Sequence, residues 1–278
     1  MKNKKLRTMI ISSDVTECLM FERLGVERIF MDREVSGKVK RQKTRNTHIA
    51  VHSYKEITAV AKALTKAELM VRVNPLNDRS KQEVRSVLES GAERVMLPMF
   101  KGLKDVIAFR DIVGADTPIT WLVETPEALI SSKLWIKELD PFVDQVHIGL
   151  NDLSLGFGLN NMFELLPIRC IDGIINELQL ADITYGVGGV GSSSSNLHIS
   201  SRLLISEYAR LESEWVILSR AFKEAQGVES IRLEEYFHTE LQYIDNAYNS
   251  FANCDASQNI INLTNMHEIL GSRFTNDD

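Results

Sequence analysis

The chain has 278 residues, a net charge of −6, 44% hydrophobic residues and 25% charged residues. That length admits one α/β barrel with an appendage, and the acidic balance argues against nucleic acid or an anionic membrane surface as a partner. Cys18, Cys170 and Cys254 form no CxxC pair, which argues against a disulfide scaffold or zinc knuckle and suits a reducing cytosol. After the basic stretch Met1 to Arg7, the apolar run is broken at Ser12, too early for a signal-peptide core. No stretch approaches the ~20 apolar residues of a membrane span. The expectation is a cytoplasmic protein that does not engage a membrane.

Short apolar runs alternate with amphipathic segments. Thr8 to Ile11 reads as a strand and Val15 to Leu24 as a helix, closed by Gly25 as helix C-termini favour. Arg28 to Asp32 is a buried-type strand, followed by a polar stretch, Arg33 to Asn46. Tyr54 to Leu64 reads as a helix, Leu69 to Val73 as a strand, Ser80 to Leu88 as a helix and Arg94 to Met99 as a strand. Leu103 to Val113 is helical and Ile119 to Val123 a strand. Glu127 to Leu139 reads as helical, Gln145 to Leu150 as a strand and Leu165 to Leu180 largely as helix. Ile183 to Val187 is a strand, Ser201 to Leu211 a helix and Trp215 to Leu218 the last strand.

Regular βα alternation implies parallel strands covered by helices, and eight units imply a closed (β/α)8 TIM barrel. An open doubly wound sheet would carry a glycine-rich loop after its first strand, where this chain reads Ser12-Ser-Asp-Val15. The barrel is assigned to residues 1–222 and a C-terminal helical extension to residues 223–278. In that extension Leu233, Phe237, Leu241, Ile244, Tyr248 and Phe251 recur at helical spacing. The stripe suits packing on its own barrel or on a neighbouring subunit equally.

Barrel chemistry resides at the C-terminal ends of the strands. Those ends carry Asp32 and Glu34 (strand 2), Arg72 (strand 3), Pro98 (strand 4), Glu124 (strand 5), and Asn151 and Asp152 (strand 6). Glu124 and Asp152 follow adjacent apolar strands directly. Two converging carboxylates repel unless a cation lies between them, and hard oxygen ligands suit Mg²⁺ or Mn²⁺. The competing reading is helix capping, since Thr125-Pro126 starts a helix and Asp152 is itself an N-cap residue type. Arg72 suits either an anionic substrate oxygen or an ion pair with Asp32 or Glu34. Gly186-Val-Gly-Gly-Val-Gly191 resembles a phosphate-cradling loop without the Walker lysine. Lys38 to Arg45 is either a solvated loop or an anion-binding segment. His48 and His52, just beyond it, are each open as catalytic or structural histidines.

Four motifs read together resemble the HpcH/HpaI aldolase/citrate lyase family: Val71-Arg-Val-Asn-Pro75, Ser90 to Met99, Leu122-Val-Glu-Thr-Pro-Glu-Ala128, and Ile148 to Gly158. The resemblance spans roughly Lys5 to Phe222. It implies a metal-dependent carbon–carbon lyase acting on a 2-oxo acid such as pyruvate through a metal-bound enolate, with an aldehyde or thioester as second substrate. Glu124 and Asp152 would hold the divalent metal. Arg72 would contact substrate, with Asn151, Asp152 and Pro98 beside it and backbone amides near Asn151 helping to stabilise the oxyanion. Asp32 and Glu34 match the acidic motif after strand 2. Relatives imply a homo-oligomer, a trimer or hexamer.

The chain also departs from the family pattern. Val35 stands where bacterial pyruvate aldolases carry the proton-transfer histidine, and Leu122 replaces their glutamine. Another group, His48 or a water held by Asp32 or Glu34, must then serve as base, or the reaction differs. A citrate-lyase-like acyl-CoA lyase would instead use Lys38, Arg41 or Lys43 on phosphates. A third reading is a degenerate barrel acting as a binding partner in polysaccharide biosynthesis.

Overall fold

The computed structural model describes residues 5–35, 52–195, 197–225 and 228–271. His48, Lys38, Arg41 and Lys43 lie outside these residues.

Eight strands are present: β1 (Arg7–Ile11), β2 (Arg28–Asp32), β3 (Glu68–Arg72), β4 (Arg94–Leu97), β5 (Ile119–Val123), β6 (Gln145–Ile148), β7 (Thr184–Val190) and β8 (Trp215–Leu218). All pair in parallel, in chain order, and β8 closes on β1. The fold is a (β/α)8 barrel. The strands read as apolar runs because both faces are buried. One face of each looks outward into a large core beneath the helices. The other fills the barrel with Met9, Phe30, Met70, Met96, Leu122 and Trp215.

The helices between the strands are α1 (Val15–Arg23), α2 (Tyr54–Ala63), α3 (Ser80–Glu89), α4 (Leu103–Val113), α5 (Pro126–Ile130), α6 (Ser132–Trp135), α7 (Leu150–Gly156), α8 (Asp172–Leu180) and α9 (Ser201–Arg210). Local chemistry sets their starts. Asp14 caps α1 through the Glu17 N–H, Ser53 and Glu56 form a capping box on α2, and Thr125 caps α5.

Two expected helices are shorter than the periodicity suggests. Glu127 to Leu139 divides at Ser131 into α5, α6 and a 3-10 turn, with Trp135 buried and its indole N–H on the Ala128 carbonyl at 2.8 Å. Of Leu165 to Leu180, only Asp172–Leu180 is α-helical.

The glycine-rich stretch is a correction of a different kind. Gly186 to Val190 belongs to β7, which is irregular between Gly186 and Gly189. A Cβ on Gly186 would lie 2.6 Å from His147 Nδ1 and 2.7 Å from Trp215 Cβ. At Gly188, φ is +55° and a Cβ would meet the Tyr208 hydroxyl at 2.8 Å. These glycines allow close packing, Gly186 against His147 and Trp215 and Gly188 against Tyr208, and the stretch through Val190 is strand rather than loop.

At the N-terminal end, Arg28 and Arg94 share Glu68, and Arg28 also donates to Gln145 at 2.8 Å and lies over the Trp215 ring at 3.9 Å. This polar layer fills the N-terminal end of the barrel and lines a surface cavity of about 540 Å³ there.

After β8 come α10 (Arg220–Lys223), α11 (Leu233–Ala252) and α12 (Ala256–Gly271). The apolar stripe of α11 covers its own barrel. Phe237 meets Phe21 and Phe222 with ring centroids 5.0 and 5.7 Å apart, and the Tyr248 hydroxyl donates to the Ser213 carbonyl at 2.8 Å. Buried Glu240 accepts from the Ser193 N–H and hydroxyl at 2.6 and 2.7 Å, which ties down the loop after β7. No helix among the described residues is long and apolar enough to cross a membrane.

Candidate active site

A cavity of about 640 Å³ opens at the C-terminal ends of the strands. Asp32, Arg72, Glu124, Asn151 and Asp152 all line it. Five of the residues singled out from strand ends therefore meet in one place. Glu34 is buried behind Arg72. Pro98 is buried too, but it is Met99 rather than Pro98 that engages the site.

Glu124 follows β5, and Thr125 takes over the capping of α5, which leaves the Glu124 carboxylate to the cavity. Its Oε1 accepts the Met99 N–H at 3.1 Å. Met99 adopts a left-handed φ of +56° in the turn that presents this N–H. Such a backbone costs a non-glycine residue about 1 kcal/mol or more, an expense typical of functional sites.

Gly149 directly follows β6, and its N–H donates to the Val123 carbonyl at 2.9 Å. A Cβ on Gly149 would lie 3.3 Å from Glu124 Oε2 and 3.2 Å from its Cβ. The glycine thus leaves space that the carboxylate uses. Asp152 does not cap α7, whose N-cap is Gly149; it sits in the first turn, and its side chain lines the cavity.

Among the described residues no group of three or more His, Cys, Asp and Glu side chains forms a potential metal cage. A cation here would be held by two carboxylates. That donor set fits Mg²⁺ or Mn²⁺, which keep water and substrate oxygens in their remaining positions. The space at Gly149 and the shared cavity both agree with that fit.

Arg72 is in register with Asp32 across the β2–β3 pair. Its Nε and Nη2 donate to the two Asp32 carboxylate oxygens at 2.9 and 2.7 Å, and Nη1 lies 3.5 Å from Glu34 Oε2. The ion-pair reading of Arg72 is therefore realised, and the side chain still lines the cavity at 13% exposure. Burial alone would make the guanidinium less basic, but Asp32, then Glu34 and Glu124, hold it well above its ordinary value.

Sequence reasoning missed the far side of the mouth and the cavity floor. There Lys223 Nζ donates to Glu17 at 2.7 Å and to the Ile11 carbonyl at 3.0 Å, beside Ser12 and Arg220. The strand-end rule would have found Ser12 and Arg220, since they follow β1 and β8. His147, inside β6, lines the floor and donates from Nε2 to the Gly188 carbonyl at 3.0 Å. Burial pushes its imidazole down to about 4.

The sequence pattern of the HpcH/HpaI aldolase/citrate lyase family matches residues 20–164, just over half of the chain and the part that carries Asp32, Arg72, Glu124 and Asp152. The chain belongs to that family. No curated protein matches it. Among solved structures, it is similar to an HpcH/HpaI family protein from Burkholderia cenocepacia J2315, with TM-score 0.59 and 14% identity over 78% of this chain and 88% of that one. RipC from Yersinia pestis matches with TM-score 0.55 and 14% identity over 92% and 99%. A variant of the citrate synthase SbnG matches with TM-score 0.52 and 12% identity over 78% and 86%. At these identities the HpcH/HpaI neighbours speak for the fold, and the family assignment rests on the sequence pattern. The family is of aldolase/citrate lyase type, so a lyase-type function is supported.

Proposed function

We propose that this chain is a carbon–carbon lyase of aldolase type that acts on a 2-oxo acid such as pyruvate, with Mg²⁺ or Mn²⁺ held by Glu124 and Asp152. One observation carries the reading: both carboxylates and Arg72 face the same cavity at the catalytic end of the barrel. When bound, the metal supplies Lewis acidity toward the carboxylate and carbonyl oxygens of the 2-oxo acid.

The protein's own groups do the rest. Arg72 has five N–H donors, and Asp32 engages two of them, which fixes the plane of the fork. The remaining donors face negative charge as it develops on the carbonyl oxygen. Glu34 supports the guanidinium from behind. Phe30, Met96 and Leu122 line the floor and keep bulk water from the reacting carbons. In the cleavage direction a base takes the proton of the alcohol, the carbon–carbon bond breaks toward the 2-oxo acid fragment, and a proton returns to that carbon. The second product is an aldehyde.

The test needs no second substrate. In D₂O with pyruvate and Mg²⁺ or Mn²⁺, the reading expects enzyme- and metal-dependent exchange of the pyruvate methyl protons, followed by NMR. Absence of exchange, together with no adduct from pyruvate and a panel of aldehydes, would favour a barrel that only binds.

A further inference from the structure

The cavity has a second charged wall, across from Glu124. With the strands closed in chain order, β1 stands opposite β5, and β8 adjoins β1. Glu124 follows β5, whereas Arg220 follows β8 and Lys223 ends α10. Two bonds place the Lys223 ammonium at the mouth: to the Ile11 carbonyl at the end of β1, at 3.0 Å, and to Glu17 Oε2, at 2.7 Å. Ile11, Glu17, Arg220 and Lys223 all line the cavity. Residues three apart share one face of a helix, so Arg220 stands on the side of α10 from which Lys223 reaches the mouth, while Phe222 between them is buried.

The polar groups of this wall are not engaged alike. Glu17 accepts from the Lys223 ammonium and from the Ser12 hydroxyl. Asp14 accepts the Glu17 N–H at 2.8 Å as the cap of α1, and Ser13 donates to Glu56 at 3.2 Å. On the other wall Arg72 is committed to Asp32 and Glu34. Arg220 is exposed, and among the described residues no hydrogen bond or ion pair engages its guanidinium. Its whole fork of donors is therefore available at the mouth. Size points the same way. Pockets of about 300–1,000 Å³ hold drug-sized molecules, and this one, about 640 Å³, exceeds the needs of a three-carbon acid. Ile11, Phe30, Leu122 and Ile217 give it an apolar lining suited to a carbon chain.

We propose that Arg220, beside Lys223, receives an anionic group, a carboxylate or a phosphate, at the far end of the second substrate. The aldehyde partner of the 2-oxo acid is then itself an anion. A guanidinium matches either group through two parallel N–H bonds, and Lys223 keeps a third N–H for the same charge. That the anion belongs to an aldehyde rests on the lyase reading; that this wall holds an anion does not.

The experiment measures aldol addition to pyruvate, with Mg²⁺ or Mn²⁺, for two matched pairs of aldehydes: succinic semialdehyde against butanal, and glyceraldehyde 3-phosphate against glyceraldehyde. The proposal expects the anionic member of at least one pair to exceed its neutral counterpart in kcat/KM by about tenfold or more, mostly through KM. The pair that shows it tells carboxylate from phosphate. Arg220→Gln should reduce that ratio to within about threefold, and Arg220→Lys, which keeps the charge and loses the fork, should fall between. No preference in either pair, or a preference that survives Arg220→Gln, overturns the proposal. Calorimetry with succinate and with glycerol 3-phosphate, on the metal-free parent and Arg220→Gln, separates the inference from the lyase reading. If pyruvate methyl exchange is absent and no aldehyde reacts, the lyase reading fails and the calorimetry decides. Binding at least about tenfold weaker in Arg220→Gln than in the parent upholds the anion site. Equal binding, or none in either protein, overturns it.

Discussion

Asp32 and Arg72 stand opposite each other in the register of β2 and β3, and the guanidinium closes on the carboxylate through two hydrogen bonds of 2.9 and 2.7 Å. The pair makes Arg72 a fixed electrostatic surface at the cavity rather than a mobile cation. A bidentate fork is planar and directional, so the donors left over point in a set direction.

Removing the guanidinium has a predictable cost. Arg72→Met leaves two buried carboxylates, Asp32 and Glu34, without it, and should destabilise the fold by about 3 kcal/mol or more. Adding Asp32→Asn should restore part of that loss. Urea denaturation of the two single variants and the double variant gives the coupling. Strict additivity would show that the pair does not act as a unit.

Gly149→Ala separates site from fold. The new Cβ would press on Glu124 at 3.2–3.3 Å while the backbone φ of −86° accommodates alanine. Stability should change by less than about 1 kcal/mol, with divalent-metal affinity reduced several-fold. Unchanged affinity by calorimetry would mean that the glycine does not shape the carboxylate position.

Gly186→Ala should act in the opposite sense, on the fold. Its Cβ would lie 2.6–2.7 Å from His147 Nδ1 and from the Trp215 backbone oxygen, inside a closed barrel. A loss of about 3 kcal/mol, or failure to fold, is expected, and overpacking is the reason. A stable variant with lost phosphate binding would instead revive the phosphate-loop reading.

The fold was legible in the sequence because buried parallel strands advertise themselves. Ile119–Val123 and Leu103–Val113 coincide with expectation because β-branched and amphipathic runs end at clear breaks. The glycines of β7 misled for a physical reason: glycine marks both phosphate loops and places where a barrel interior has no room for a side chain. The break at Ser131 was hidden because the apolar spacing of residues 127–139 continues across it. Glu124, Asp152 and Arg72 were legible from their places at strand ends. Their partners were not. The Arg72–Asp32 register, the Met99 N–H on Glu124 and the Asp32 N–H on His52 are products of three-dimensional pairing, which residue type does not display.

His147 provides a pH test. Burial lowers its pKa from 6.5 to about 4, the Gly188 carbonyl opposes this and Arg28 adds to it. Between those values the unfolded chain binds a proton that the folded chain does not. The stabilising contribution is complete above about pH 6.5 and is lost as pH falls toward about 4, by up to about 3 kcal/mol. Urea denaturation across that range should show a steeper acid loss in the parent than in His147→Gln. Identical slopes would mean that His147 is not buried neutral.

Isothermal titration of Mg²⁺ and Mn²⁺ into the parent chain, Glu124→Gln and Asp152→Asn, with folding checked by circular dichroism, tests the metal clamp directly. The expected outcome is one bound ion per chain in the parent and at least about 100-fold weaker binding in each folded variant. A parent that binds neither ion, or variants that bind as the parent does, would contradict it.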